Sequence, residues 1–371
     1  MKRWQFLVRV VVKAALLFIM LNVVFALLNP MEAIGRFSIY NTLIPGRERL
    51  PYGENPAQSY NVSLFNIPAM FASHAIARPK ADDEFRLVLI GDSATWGWLL
   101  ESDQTLAAQL NVHDLRAPDG RRIIAYNLGY PIMSATKDLL LLDYALQYEP
   151  DMLVWLVTLE SFPREKQLFP PLLQNNPDRV RNLSAQYQLT VDPNDPRFVE
   201  TTFADQTIIG QRRALADWLR LQTYGFSWAA TGIDQFIPAT YTRRANDFDA
   251  DISWQGLTEP QDFEGGELAF ELLQAAVNLD VPLLIVNEPI FTADGENSDL
   301  RYNAWYPRWA YDAYRELLTR TAAANNWPFI DLWDALPPEV FTDSPVHINP
   351  AGTAQLAELL IPTINQRLDE R

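Results

Sequence analysis

Short apolar runs alternate with helical patterns along most of the chain after residue 82. The apolar runs are Leu87–Ile90, Ile123–Asn127, Met152–Val157, Pro282–Val286 and Phe329–Leu332. The helical patterns are Gln104–Leu110, Ser134–Gln147, Gly265–Asn278, Trp305–Asn325 and Ala351–Leu368. Uninterrupted apolar runs are typical of strands buried on both faces, and their alternation with helices indicates a parallel sheet. The pattern therefore predicts an α/β fold of three layers, with helices on both sides of one parallel sheet.

Residues 160–262 interrupt this alternation. They contain many prolines and scattered aromatic residues, with one amphipathic helix predicted near Gln206–Leu221. An insertion of this length is often functional, and it is interpreted either as a lid or substrate platform or as additional scaffold. We expect a domain over residues 83–371 that contains this insertion, preceded by a Pro- and Asn-rich spacer over residues 31–82 that partly packs on the domain.

The N-terminus carries a second apolar signal. Residues 6–28 are apolar apart from Arg9, Lys13 and Asn22, and Lys2 and Arg3 precede them. About 23 helical residues are enough to cross a hydrocarbon core of about 30 Å. Positive charge before the apolar segment favours a cytoplasmic N-terminus. Residues 1–30 are thus expected to be a single-pass signal anchor in the cell membrane, with the main domain periplasmic or extracellular; a cleaved signal peptide and a buried globular helix are the alternatives.

Composition narrows the function classes. The formal net charge of −16 argues against a nucleic-acid partner, which requires a basic face. The chain has no cysteine, which excludes disulfides, thiolate metal sites and a cysteine nucleophile. There is neither a Gly-rich phosphate loop nor a metal-spaced cluster of His, Asp and Glu, so we expect no cofactor and no metal. No particular protein partner is predicted.

Candidate chemistry lies at the end of the first apolar run. Ser93 follows Ile90 by three residues, which places it at the carboxyl edge of the sheet, where open α/β folds bind their ligands. A serine hydroxyl is a weak nucleophile unless a base takes its proton. The chain has only three histidines. His74 and His113 are interpreted as packing or surface residues, which leaves His347 as the base.

Three segments around these residues resemble the SGNH/GDSL hydrolase family. Residues 91–97, Gly-Asp-Ser-Ala-Thr-Trp-Gly, resemble block I, whose serine is the nucleophile. Residues 127–131, Asn-Leu-Gly-Tyr-Pro, resemble block II, and residues 343–352 resemble block V, which carries the acid and the base. The resemblance implies a flavodoxin-like sheet, a Ser93–His347–Asp343 triad, and an oxyanion hole built from the N–H groups of Ser93 and Gly129. Asp92 is interpreted as bracing the loop.

Two departures from the family pattern bear on activity. The family's acid stands three residues before the histidine, where this chain has Ser344; Asp343 stands four before, and one extra loop residue can be absorbed by a bulge. The third block ends its strand with an Asn whose amide is an oxyanion donor, and here Glu160 stands in that place. An ionised carboxylate about 4 Å from an oxyanion would cost about 4 kcal/mol at an effective dielectric near 20. Asn287, or the hydroxyls of Thr158 and Ser161, are expected to substitute as donors.

Aromatic and polar residues near the carboxyl ends of the strands suggest a pocket for a polar, ring-shaped ligand such as a sugar. The predicted pocket residues are Asp92, Trp96, Glu160, Glu288, Arg301, Tyr302, Asn303 and Tyr306. A helix start that packs Trp305 and Tyr306 inward is the alternative interpretation of that segment.

The resemblance implies a serine ester hydrolase acting on acyl or acetyl esters, and esters of cell-envelope carbohydrate are the expected substrates. The expected partners are the membrane, through the N-terminal segment, and an acyl ester or carbohydrate substrate. An O-acyltransferase for envelope polysaccharide would use the same triad, so the sequence leaves that reaction open. The missing block III Asn leaves a third alternative, a catalytically inactive polysaccharide-binding protein on the same scaffold.

Overall fold

Five parallel strands form the central sheet. The computed structural model describes residues 2–44, 46–240, 250–263 and 266–370, and within them the strands are β1 (Glu84–Ile90), β2 (Arg122–Asn127), β3 (Met152–Val157), β4 (Leu283–Asn287) and β5 (Phe329–Asp331). Their order across the sheet is β2-β1-β3-β4-β5, and every pairing is parallel. This is the order of flavodoxin-like sheets. The α/β fold class and all five strands are therefore confirmed, with bounds shifted by at most three residues.

The described residues form helices on both faces of the sheet and one long N-terminal helix that stands apart from it. These helices are α1 (Lys2–Leu28), α2 (Met31–Gly35), α3 (Ile39–Leu43), α4 (Ile67–Ala72), α5 (Ser93–Trp96), α6 (Leu106–Val112), α7 (Ala135–Ala145), α8 (Pro171–Gln174), α9 (Pro177–Tyr187), α10 (Arg212–Thr231), α11 (Glu271–Val277), α12 (Arg308–Asn325) and α13 (Pro350–Asp369). One core layer joins the sheet to α4, α7, α11 and α12, and the other joins it to α6 and α13.

Three predicted helix starts are displaced toward the C-terminus. Pro307 is the N-cap of α12, so that helix begins after Trp305 and Tyr306 rather than at them. α10 begins at Arg212 because residues 203–211 form turns. The predicted start of α11 at Gly265 lies outside the described residues, and Leu268 forms an isolated antiparallel bridge with Pro163 instead of joining the helix.

The predicted spacer, residues 31–82, is built into the body of the protein. Tyr40, Arg47, Arg49 and Phe71 from this segment are at most 1% exposed. Tyr40 donates a hydrogen bond from its hydroxyl to the Ser73 carbonyl at 2.7 Å. Part of this packing was expected, but its extent was not, because short helices such as α3 and α4 carry too few residues for a helical period to be visible.

Helix α1 stands apart from the core. Its side chains are exposed over nearly its whole length, and only Asn22 and Ala26 near its C-terminal end are buried against the body. Within the described residues it is the helix long and apolar enough to cross a membrane. Its exposure contradicts the interpretation as a buried globular helix, while a signal sequence has the same appearance.

Candidate active site

Ser93 begins a tight helical turn directly after β1. Asp92 is the N-cap of α5, and its carboxylate accepts a hydrogen bond from the Ala94 N–H at 2.7 Å. Gly97 ends the turn at φ +92°, a left-handed conformation that favours glycine. Since Ser93 is the first helical residue, its own N–H has no acceptor within the turn. The turn therefore presents both the hydroxyl and the N–H of Ser93 at the carboxyl edge of the sheet.

The structure brings Ser93, His347 and Asp343 into one hydrogen-bonded line. Ser93 Oγ lies 2.8 Å from His347 Nε2, and His347 Nδ1 lies 2.8 Å from Asp343 Oδ1. His347 is 8% exposed. Partial burial acts to raise the pKa of Asp343, but the hydrogen bond and charge attraction to His347 outweigh it and lower that pKa. Ser93 and His347, which are 254 positions apart in the chain, are thus within hydrogen-bonding distance of each other.

The loop that carries Asp343 and His347 absorbs the extra residue between them. Phe341 and Ile348 form an antiparallel bridge, and the Thr342 N–H donates to the His347 carbonyl at 2.8 Å. Asp343 and His347 therefore face each other across a closed loop. The hydroxyl of Ser344, at the position of the family's acid, instead accepts from the N–H groups of Val346 and His347.

Two side chains from distant segments hold the loop that follows α5. The buried guanidinium of Arg49 donates to the carbonyls of Gly97 and Leu100, both at 2.9 Å, and forms an ion pair with Asp234. The Gln235 amide donates to the same two carbonyls, at 2.8 and 2.7 Å. Buried carbonyls rarely remain unpaired, so these contacts fix the loop next to the nucleophile. Arg49 belongs to the predicted spacer and Gln235 to the insertion, so both segments support the site.

Four ionisable side chains are buried beneath the nucleophile turn. They are Asp92, Lys137, Asp138 and Glu288, each at most 4% exposed. Lys137 Nζ lies 2.8 Å from Asp138 Oδ1 and donates to the Gly91 carbonyl at 3.1 Å. Burial raises the pKa of Asp92, and burial together with the neighbouring Asp92 charge raises the pKa of Glu288 well above its usual range. Three carboxyl groups facing one ammonium group therefore favour a neutral Glu288.

The predicted oxyanion-hole donors are placed differently from expectation. The Gly129 N–H donates to the Asn127 side chain at 3.0 Å. Asn287 is fully buried, and its amide donates to Asp331 Oδ1 at 2.8 Å. Thr158 and Ser161 are also buried, and the Ser161 hydroxyl accepts from the Thr158 N–H. The Ser93 N–H has no protein acceptor within the described residues and is the backbone donor next to the Ser93 hydroxyl.

Gly129 has a packing role instead. A Cβ at this position would lie 2.4 Å from the Trp96 backbone nitrogen. The loop after β2 can therefore approach the nucleophile turn this closely only with glycine here.

A cavity of about 610 Å³ opens beside Ser93. Its lining combines apolar and polar side chains: Ile132, Met133, Glu160, Lys166, Phe169, Ser253, Trp254, Gln255, Arg301, Ala304 and Trp305. The carboxylate of Glu160 pairs with Lys166 Nζ at 2.5 Å and accepts from Trp254 Nε1 at 2.9 Å. Lys166 thus compensates the negative charge of Glu160. This pairing reduces the repulsion that the carboxylate would exert on a nearby oxyanion.

Most other predicted pocket residues lie away from the wall of this cavity. Trp96 and Tyr306 are fully buried, and Tyr306 Oη lies 3.1 Å from Thr158 Oγ1. Asn303 is also fully buried and accepts from the N–H groups of Trp305 and Tyr306, while the Tyr302 hydroxyl donates to Asp312. Asp92 and Glu288 belong to the buried charged group. Of the predicted pocket residues, Glu160 and Arg301 line the cavity. The others are held in the core by hydrogen bonds and ring packing.

Several residues around the site escaped prediction. Trp98 stacks on His347, Lys166 neutralises Glu160, Lys137 lies under the turn, and Arg49 holds the loop. Of these residues, only Lys137 gave a signal in the sequence. It stands in an apolar helix, and a lysine is rarely buried there unless it has a charged or polar partner. Within the described residues, no group of three or more His, Asp and Glu side chains is arranged to hold a metal ion.

Several solved protein structures are similar to this chain. No family model and no curated protein matches the chain. A lipase/acylhydrolase from Enterococcus faecalis is 14% identical over 76% of this chain and 96% of its own, with a TM-score of 0.35. A carbohydrate acetylesterase from Sinorhizobium meliloti is 10% identical over 76% and 99%, with a TM-score of 0.32. An acetylxylan esterase from Geobacillus stearothermophilus, in a catalytic mutant, is 13% identical over 76% and 94%, with a TM-score of 0.32.

Residues 91–97, 127–131 and 343–352 carry the chain's resemblance to the SGNH/GDSL hydrolases. The arrangement of Ser93, His347 and Asp343 is a property of this chain's own structure. In this structure the Gly129 N–H of the segment resembling block II donates to the Asn127 side chain, and Glu160 stands in the place of the block III Asn.

Proposed function

We propose that this protein is a serine ester hydrolase of the SGNH/GDSL type. The observation that carries the proposal is the line of hydrogen bonds from Ser93 Oγ through the imidazole of His347 to Asp343, with both distances at 2.8 Å. A hydroxyl, an imidazole and a carboxylate in this order are recognised as a catalytic triad by their geometry rather than by sequence position.

The proposed reaction proceeds through an acyl-enzyme. Ser93 Oγ attacks the ester carbonyl carbon while His347 Nε2 takes its proton, and Asp343 holds the imidazole by accepting from Nδ1–H. The Ser93 N–H stabilises the oxyanion. His347 then protonates the departing alcohol oxygen, and water, activated by the same imidazole, hydrolyses the acyl-enzyme. The incomplete oxyanion hole predicts slower catalysis, since loss of one donor typically costs about 10²–10³ in rate.

The cavity favours a short acyl ester carried on a polar, ring-shaped alcohol. The rings of Phe169, Trp254 and Trp305 and the polar groups of Gln255 and Ser253 share its wall with Ser93. Aromatic surfaces with a few polar groups bind ligands that are flat on one side and polar at the edge, as sugars are. An acetylated carbohydrate of the cell envelope is therefore the proposed substrate class.

Helix α1 is proposed to anchor the enzyme as a single-pass membrane segment. Arg3–Leu28 is about 39 Å long at 1.5 Å per residue, which exceeds a hydrocarbon core of about 30 Å. Lys2 and Arg3 precede it, so the N-terminus is cytoplasmic and the catalytic body lies outside the cytoplasmic membrane.

A fluorophosphonate probe tests the nucleophile directly. We expect the purified full chain to be labelled and Ser93→Ala not to be, because the probe reacts with an activated serine. Ser102 is a suitable control, since Ser102→Ala removes a different hydroxyl and should keep full labelling. A folded wild-type protein that remains unlabelled would contradict the proposal and favour a binding-only protein.

Hydrolysis of p-nitrophenyl acetate and of acetylated xylo-oligosaccharide then tests the reaction and the substrate class. We expect free acetate from both substrates and none with Ser93→Ala. Acetate that appears on an added acceptor sugar instead of in solution would show a transferase, and cleavage of the aryl ester alone would contradict the carbohydrate assignment.

A further inference from the structure

Beside the anchor, the protein exposes an apolar face that nothing in the described residues covers. It consists of Phe37, which precedes α3, of Ile39 and Leu43 in α3, and of Leu219 and Phe226 in α10. These five side chains are between 40% and 70% exposed. We call this set the α3–α10 face. Large apolar side chains that are exposed together, rather than singly, mark an interaction site.

Helices α3 and α10 are packed as one unit, so the face is continuous. The Gln222 side chain accepts from the Ile39 N–H at 2.8 Å, and Trp218 Nε1 donates to the Phe37 carbonyl at 3.2 Å. The ring of Tyr40 lies 6.4 Å from that of Phe226, and a Cβ on Gly225 would come within 2.2 Å of Tyr40. Two helices in such close contact present their outward side chains on a common surface.

The outward stripe of α10 is uncharged. Ala216, Leu219, Thr223, Phe226 and Ala230 follow helical spacing and are all exposed. A soluble protein's surface helix normally carries charged residues on this side. Exposed charged residues stand at the borders instead: Arg36, which pairs with Glu32, directly before Phe37, and Arg212 and Arg213 at the start of α10, where Arg213 lies 3.6 Å from both Glu54 and Asp217. An apolar stripe with a charged border is typical of a surface that lies in a membrane interface.

Helix α1 fixes where this face lies relative to a membrane. The Ile209 N–H, just before α10, donates to Asn22 Oδ1 at 3.2 Å, and Ala26 is buried against the body. Asn22 is only about 9 Å along the helix from Leu28. The body therefore contacts α1 within the last turns of the apolar segment, at the depth of the outer lipid headgroups if α1 spans the bilayer. Only residues 29 and 30 separate α1 from α2, which leaves no length for the body to move away.

We propose that the α3–α10 face rests in the headgroup–acyl boundary of the same bilayer that holds α1. This inference rests on the proposed anchorage of α1 and goes beyond it, because it orients the catalytic body on the membrane. The partner is the lipid itself: acyl chains receive the five apolar side chains, and headgroup phosphates face the bordering arginines.

Site-directed spin labelling tests this proposal, and the natural absence of cysteine makes every introduced label unique. The full chain is reconstituted into nanodiscs of phosphatidylcholine and phosphatidylglycerol. Labels are placed one at a time by Leu43→Cys and Leu219→Cys. The matched controls are Val112→Cys on α6 and Leu359→Cys on α13, which are also exposed apolar residues but belong to helices on the other face of the sheet. Collision rates with oxygen and with a water-soluble nickel chelate report lipid and water contact.

We expect the labels at 43 and 219 to collide at least threefold more with oxygen, relative to the nickel chelate, than the labels at 112 and 359. Equal ratios at all four positions would overturn the proposal. Shielding from both reagents at 43 and 219 would also overturn it, since a protein partner or a second copy would then cover the face.

A label at Leu17→Cys separates this proposal from the anchorage on which it rests. Lipid contact at 17 with water contact at 43 and 219 would mean that α1 is anchored while the body stands clear of the membrane. Water contact at 17 would overturn both the anchorage and the orientation.

Discussion

The indole of Trp98 stacks on the imidazole of His347. Their ring centroids lie 6.0 Å apart, and their planes are inclined by 28°. Trp98 also contacts Trp96 and Tyr52, with centroid separations of 6.1 and 6.4 Å. The imidazole is therefore supported on one side by a group of aromatic rings that continues into the buried core, while Asp343 holds its Nδ1.

Replacing Trp98 should slow the proposed esterase without destroying it. An aromatic face stabilises a nearby cation by about 0.5–2 kcal/mol, and His347 becomes a cation as it takes the serine proton. We expect Trp98→Leu to lower kcat/KM by about threefold to tenfold and Trp98→Phe to retain most of the activity. Steady-state hydrolysis of p-nitrophenyl acetate measures this. Equal losses in the two variants would show that ring stacking has no part in the effect.

Asp343, rather than Ser344, should be the residue on which His347 depends. Asp343→Asn keeps the shape of the side chain but removes the charge and favours the wrong imidazole tautomer, which costs about 10⁴ in kcat in a serine protease triad. We expect a loss of similar size here. Ser344→Ala removes only a hydroxyl that caps the loop, so its activity should fall by less than about tenfold. Parallel kinetics of the two variants decide the assignment, and a greater loss with Ser344→Ala would contradict it.

The sequence was most informative where local pattern and tertiary role agree. β3 is apolar at every position and fully buried, so its bounds could be predicted to the residue. Ser93 and His347 were predictable because each belongs to a segment with its own turn chemistry: Asp92 and Gly97 shape one, and Asn349 and Pro350 begin the helix after the other.

Prediction was less successful where a side chain's role depends on distant partners. Asn287 ends a strand as a donor would, but Tyr314, Asp331 and burial direct its amide into the core. Tyr302 and Asn303 were predicted in the pocket from their composition and their position after a strand's carboxyl end. A short loop of mixed polar and aromatic residues has no period that separates its inner from its outer face. Pairs such as Arg49 and Asp234, 185 residues apart, leave no local signal.

Glu288→Gln should make the protein more stable at neutral pH. The buried carboxyl of Glu288 has a pKa raised well above 4.5 by burial and by Asp92. Between 4.5 and that raised value, the native state holds a proton that the unfolded chain releases, so the wild type loses stability as pH rises. A glutamine has no proton to lose. We expect the melting temperature of Glu288→Gln to exceed that of the wild type by a margin that grows from pH 5 to pH 8.

Differential scanning fluorimetry across that pH range measures the margin. Glu358 of α13 provides the control because its carboxyl is exposed, and Glu358→Gln should follow the wild-type curve. A difference between the melting temperatures of Glu288→Gln and the wild type that stays constant from pH 5 to pH 8 would contradict the prediction.

His74 should make the native state sensitive to acid. Its ring is fully buried, with Nδ1 accepting from the Ile76 N–H at 3.1 Å and Nε2 lying 3.0 Å from the Asn127 carbonyl, and burial lowers its pKa from 6.5 to about 4. Between these values the unfolded chain binds a proton that the native state does not, so stability falls as pH decreases. From pH 7 to pH 5 this amounts to about 2 kcal/mol of unfolding free energy.

Urea unfolding at both pH values should show that His74→Gln loses about 2 kcal/mol less than the wild type over this interval, even if the variant is less stable at pH 7. The exposed His113 is the matched control, and His113→Gln should keep the wild-type dependence. An equal loss in His74→Gln and the wild type would mean that another group is responsible for the acid sensitivity.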